Sequence, residues 1–104
     1  MIPMQTNPIE QVPAPEWKQW VETNDGVLLD VREPMEWAQG ALPDSTKISL
    51  SFLPASLGQL DQTRPILVVC RAGNRSQLAA QFLTRNGFPQ TANLAGGLIS
   101  IGLA

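Results

Sequence analysis

The sequence contains no histidine and no tyrosine, and Cys70 is its only cysteine. Without an imidazole there is no Ser-His-Asp triad, no Cys-His dyad and no His-based zinc site. A single cysteine excludes the disulfide framework that staples small secreted domains. Charge is sparse as well: 15% of residues are charged and the formal net charge is −2, which offers no broad positive field to nucleic acid. Long apolar runs are missing. The most continuous stretch, Leu94 to Ala104, is interrupted by Gly96, Gly97, Ser100 and Gly102, and falls far short of the roughly 20 residues a membrane-spanning helix needs. The N-terminal MIPMQTNPIEQVPAPE has neither a basic start nor an apolar segment of secretory type. The expectation is a soluble cytoplasmic protein with a free thiol and with neither nucleic-acid nor membrane partners.

What is present is enough for one core. At 104 residues and 43% hydrophobic content, residues 1–104 form a single domain, with 1–8 as a flexible, proline-containing lead-in. A short strand is expected at Ile9 to Val12. Pro15 suits a first helical turn, and Trp17, Trp20 and Val21 fall at i, i+3, i+4, giving an amphipathic helix closed by Asn24-Asp25-Gly26. Two continuous apolar runs, Val27 to Val31 and Ile66 to Cys70, have the pattern of strands buried on both faces. Met35 to Trp37 predicts one helical turn, Lys47 to Leu50 a third strand, and Leu53, Leu57 and Leu60 one helical face. Ser76 to Asn86 predicts a helix with Leu78, Ala79, Phe82 and Leu83 inward, stopped by Asn86-Gly87 and Pro89. Thr91 to Leu94 predicts a last strand, and Gly96-Gly97 a turn into a brief apolar helix. This alternation predicts an α/β fold: an open parallel sheet of about five short strands with helices on both faces.

The chemistry concentrates in Cys70-Arg71-Ala72-Gly73-Asn74-Arg75-Ser76, between a buried strand and a helix. In open α/β sheets, sites form in the crevice beyond the carboxyl ends of the strands. A cysteine there faces the first N–H groups of the following helix, which favour a thiolate. Gly73 lets successive N–H groups turn inward as an anion-binding nest, and Arg71 and Arg75 add local positive charge. A small divalent oxyanion suits such a cradle. A lone cysteine at the end of an apolar strand is more often an inert core residue, but two arginines and a glycine directly after it have no use in a merely structural turn. Arg71 fits a solvent-facing arginine as well as a substrate-steering one.

Three segments resemble the rhodanese family. Leu28 to Trp37 is similar to its strand followed by "DVRE", Cys70 to Ser76 to its active-site loop, and Asn93 to Leu98 to its "L-x-G-G" turn. The resemblance implies a single-domain thiosulfate sulfurtransferase. Cys70 takes a sulfane sulfur from thiosulfate or a similar donor and passes it, as a persulfide, to cyanide or to a thiol, including that of a thioredoxin-like protein. The loop residues Arg71, Ala72, Gly73, Asn74, Arg75 and Ser76 bind the donor, and no metal or other cofactor is required. Asp30 and Arg32 are implied to support the site structurally through charge-assisted hydrogen bonds. The alternative is a sulfur-carrier or sensor module loaded by a partner protein. Phosphatase relatives of the fold resemble C-x5-R, one residue longer than the C-x4-R of Cys70 and Arg75, so the shorter loop favours sulfur. The chain departs from the family at Ala41, Asp44, Ser49 and Ile101, which bears on packing rather than on the reaction.

Overall fold

The computed structural model describes residues 8–103; most of the expected lead-in lies outside them. Five strands, β1 (Glu10–Val12), β2 (Val27–Asp30), β3 (Thr46–Lys47), β4 (Ile66–Val69) and β5 (Thr91–Leu94), form one parallel sheet in the order β1-β5-β4-β2-β3. Helices α1 (Trp17–Asn24), α2 (Pro34–Trp37) and α3 (Asn74–Arg85), with 3-10 segments at 14–16 and 50–59, make the crossovers, and a third 3-10 segment at 98–101 follows β5. No helix among the described residues is long and apolar enough to cross a membrane.

The apolar runs are continuous because each strand feeds two cores. In β4, Ile66 and Val68 pack with α3 and the 50–59 segment, whereas Leu67 and Val69 pack toward α1 and the 98–101 segment. Leu29 and Leu28 divide in the same way along β2. Strand side chains alternate in direction, so a strand covered on both sides can carry no polar face. Each Leu, Ile or Val so buried contributes about 1.5–3 kcal/mol, and all four residues of β4 are buried.

Three boundaries differ from expectation. β3 is Thr46–Lys47 rather than 47–50, because its partner β2 ends at Asp30 and the pairing ends with it. Ile48 and Leu50 still donate to the carbonyls of Asp30 and Val31, both at 3.1 Å, as the chain peels away. The segment carrying Leu53 and Leu57 is wound as a 3-10 helix with Pro54 inside it, and Leu60 lies just beyond its end; Leu53 is buried and the other two are half-buried. α3 begins at Asn74, two residues early, and its inner face is rotated by one position. Ser76, Ala79, Ala80 and Leu83 are buried, whereas Leu78 is 57% exposed. Ser76 faces inward because it bonds to Cys70, and that contact sets the helix rotation. The helix stop at Asn86-Gly87 has the expected chemistry: Gly87 is left-handed at φ 91°, and Phe88 N–H reaches the Leu83 carbonyl at 3.1 Å.

Candidate active site

Residues 70–76 run from the carboxyl end of β4 into the first turn of α3. Cys70 is 1% exposed, and its Sγ accepts the backbone N–H groups of Gly73 at 3.1 Å and Ser76 at 3.3 Å. Gly73 makes this possible. It caps α3 in the left-handed region, at φ 104° and ψ −7°, which turns the chain back so that its N–H meets the sulfur. Two N–H donors and the start of the 12-residue helix α3 converge on one sulfur, an arrangement that stabilises negative charge there.

The Ser76 hydroxyl lies 3.2 Å from the sulfur and donates to Asn93 Oδ1 at 2.5 Å. The orientation of Asn93 is fixed, since its Nδ2 donates to Gln11 Oε1 at 2.9 Å and to the Gly73 carbonyl, an acceptor only, at 3.3 Å. With its single proton directed at Asn93, the Ser76 hydroxyl accepts from the Cys70 thiol. The β5 end thereby anchors the loop from beneath. From above, Leu98 N–H donates to the Cys70 carbonyl at 2.8 Å and Ile99 N–H to the Arg71 carbonyl at 3.0 Å. Gly97 sits against that carbonyl: a Cβ there would overlap the Arg71 backbone and stand 2.6 Å from Ala72 N.

Arg71, Ala72 and Asn74 are exposed, and a cleft of about 340 Å³ lies beside the loop, lined by Gln11, Ala72, Gly73, Asn74, Asn93 and Gly96 among others. Among the described residues Arg71 takes part in no ion pair. Arg75 does. Its guanidinium forks onto Glu36 of α2, Nη1 to Oε1 at 2.6 Å and Nη2 to Oε2 at 2.9 Å. Hydrogen bonding to Arg75, more than any other influence, holds the Glu36 carboxyl down at about 2, and the same bonds raise Arg75 further. The cradle is therefore bounded by Arg75 with its charge already matched.

Asp30 and Arg32 stand at the end of β2, both buried, joined at 2.8 Å, with Arg32 Nε also on the carboxylate. Arg32 Nη2 donates to the Gly40 carbonyl at 2.8 Å. These bonds run to the turn after α2 and not to the Cys70 loop itself. Glu36 and Asn93 bond directly to loop side chains and lie outside the expected set, as does Gln11 beside Asn93. Asn93 had a signal in the sequence, a carboxamide in an otherwise buried strand; Glu36 had only its spacing, three residues after Glu33, matching the capping box it forms.

Known proteins agree with this architecture. A rhodanese-like domain model matches residues 13–101. A sulfurtransferase of Allochromatium vinosum is 34% identical over 79 residues, covering 76% of this chain and 74% of that protein. The thiosulfate sulfurtransferase GlpE of Pseudomonas syringae is 34% identical, covering 80% of this chain and 78% of its own. The structure of a rhodanese-related protein from Thermoplasma volcanium superposes with a TM-score of 0.80 at 28% identity, over 91% of this chain and 95% of that one. Its five-stranded parallel sheet and the span of that match, which includes the Cys70 loop and the Gly96-Gly97 turn, place the chain in the rhodanese-like family, as an enzyme of the sulfurtransferase class.

Proposed function

We propose that the protein transfers sulfane sulfur through a persulfide on Cys70, with thiosulfate-type compounds as donors and a thiol or cyanide as acceptor. The observation that carries this reading is the pair of N–H groups, from Gly73 and Ser76, directed at the Cys70 sulfur. The thiolate attacks the outer sulfur of thiosulfate; the new S–S bond forms as the old one breaks, and sulfite leaves with the bonding pair. The product carries its charge on the terminal sulfur, within the loop formed by Arg71, Ala72, Gly73, Asn74, Arg75 and Ser76. The acceptor thiolate or cyanide then attacks that terminal sulfur and Cys70 leaves as the thiolate, so no net oxidation occurs. Arg71, exposed and in no ion pair among the described residues, draws the anionic donor toward the loop. Asp30 and Arg32 hold the β2 end and the turn after α2 in place. A buried single thiol suits a reducing, cytoplasmic setting.

A second reading, a carrier loaded by a partner protein, draws on the Arg75–Glu36 pair, which leaves the loop one free guanidinium for a dianion. Intact-mass analysis after mixing with thiosulfate, and separately with an alkyl persulfide, distinguishes the two. One added sulfur from thiosulfate, absent in Cys70→Ser, is the expected result. Sulfur gained only from the persulfide would favour the carrier. Sulfur retained by Cys70→Ser would overturn both.

A further inference from the structure

Arg75 is one of two arginines in the loop, yet its guanidinium is committed elsewhere. Both terminal nitrogens are bonded to Glu36, at 2.6 and 2.9 Å, and the carboxylate is itself fixed, because Oε1 also accepts the Glu33 N–H at 3.0 Å within the α2 cap. The pair is partly shielded, with the Arg75 and Glu36 side chains 34% and 25% exposed. Arg75 also lies within electrostatic reach of Cys70, whose charge adds to the influences that raise it. One of the loop's two cations is thus neutralised by a carboxylate from a different crossover.

We propose that Glu36 is a specificity-determining residue that holds Arg75 away from the incoming donor, so that the loop favours singly charged sulfane donors over dianionic ones. The proposal rests on the sulfur-transfer reading above. Of the loop's own two cations only Arg71 offers a donor net charge, because the Arg75–Glu36 pair sums to zero. Coulomb energy scales with donor charge, so any cation added at the mouth favours a dianion by the square of the factor it gives a monoanion. Alkyl persulfides and thiosulfonates are monoanions, whereas thiosulfate carries two charges and releases a dianion. Glu36 thereby restrains a loop that its two arginines would otherwise tune to thiosulfate.

The test compares sulfur loading of Cys70 from thiosulfate and from benzenethiosulfonate, as second-order rates followed by intact mass. The proteins are the natural chain, Glu36→Gln, and the double variant Glu36→Gln with Arg75→Gln. Glu36→Gln keeps an oxygen for the Glu33 N–H but releases the guanidinium. It is expected to quicken loading about 2.4-fold from the monoanion and about 6-fold from the dianion, for a charge roughly 8 Å from the donor in water-like dielectric. The gain should shrink with added salt. The double variant removes both members of the pair and should restore the donor ratio of the natural chain. An unchanged ratio in Glu36→Gln, with sulfur still arriving on Cys70, overturns this proposal alone. A double variant that loses thiosulfate selectively also overturns it, since Arg75 would then be serving the dianion directly. Absence of sulfur on Cys70 with either donor in the natural chain overturns the sulfur-transfer reading, and this proposal with it.

Discussion

Gly97→Ala is the substitution for which the structure specifies both a stability cost and a cause of lost activity. Gly97 has φ 66° and ψ −173°, a region essentially closed to residues with a Cβ. Strain of this kind costs about 1–3 kcal/mol. The added methyl would also overlap the Arg71 carbonyl and lie 2.5 Å from its carbon and 2.6 Å from Ala72 N, all backbone atoms that cannot rotate away. Relieving such overpacking costs a further 1–3 kcal/mol, roughly. The total, about 2–6 kcal/mol, is a large part of the roughly 5–15 kcal/mol that holds a domain together. For a domain of this size each kcal/mol lowers Tm by about 4–8 °C. The least-cost relief moves Arg71 outward and breaks the Leu98 and Ile99 N–H bonds to the loop, at 2.8 and 3.0 Å. Sulfur loading of the folded fraction should then fall by at least about tenfold, since misplacing a reacting group by 1 Å costs on the order of a hundredfold. Urea unfolding with loading measured in parallel checks both effects. Gly102→Ala is the control: at φ 80° with no atom of the described residues within 4 Å of a new Cβ, it should show strain alone and full loading. If Gly97→Ala unfolds at the natural urea midpoint, or costs no more than Gly102→Ala, the close-approach argument is wrong.

Asp30→Asn leaves the Arg32 guanidinium buried at 2% exposure without its counter-charge; urea unfolding should register a loss of about 3–5 kcal/mol, typical of a broken buried pair. Arg71→Ala should raise KM for thiosulfate with little change in kcat, and a salt series should show the natural chain converging on the variant as exposed charge is screened. Glu36 is lowered from 4.5 to about 2 in the folded chain. A carboxyl lowered on folding contributes stability that is fully present above its unfolded value and lost as pH falls through its folded one. Acid unfolding should therefore show a stability slope between about 4.5 and 2 that Glu36→Gln lacks.

The sequence discloses what depends on local pattern. β4 and β2 are visible as apolar runs because both of their faces are covered, and Cys70 is conspicuous because a charged, glycine-containing loop follows it. The rotation of α3 was not legible. Leu78 is the better hydrophobe, but Ala80 takes the inner face because the Ser76 contact with Cys70 turns the helix, and a polar residue setting an apolar face leaves no hydrophobic period to read. Glu36 and Arg75 lie 39 residues apart, joined only because β2 and β4 are parallel neighbours, so that α2 and α3 both start at the same sheet end. Asp44, one of the positions at which the chain departs from the family, adopts the left-handed conformation at φ 63°, which few residues other than glycine, asparagine and aspartate take readily.

The position of β5 governs when this chemistry can begin. β5 lies between β4 and β1, so β1 has no neighbour in the sheet until residues 91–94 have been made. Such pairing between distant segments closes a long loop and is slow by nature. The same late strand brings Asn93 beneath Ser76, and the turn after it brings Leu98 and Ile99 over the carbonyls of Cys70 and Arg71. A nascent chain that has already made Cys70 thus holds its thiol in an unfinished loop, without the bonds that fix the sulfur's surroundings. On the proposed reading, sulfur capture waits on the docking of β5 and of the turn after it, and a chain truncated before residue 91 should take up no sulfur.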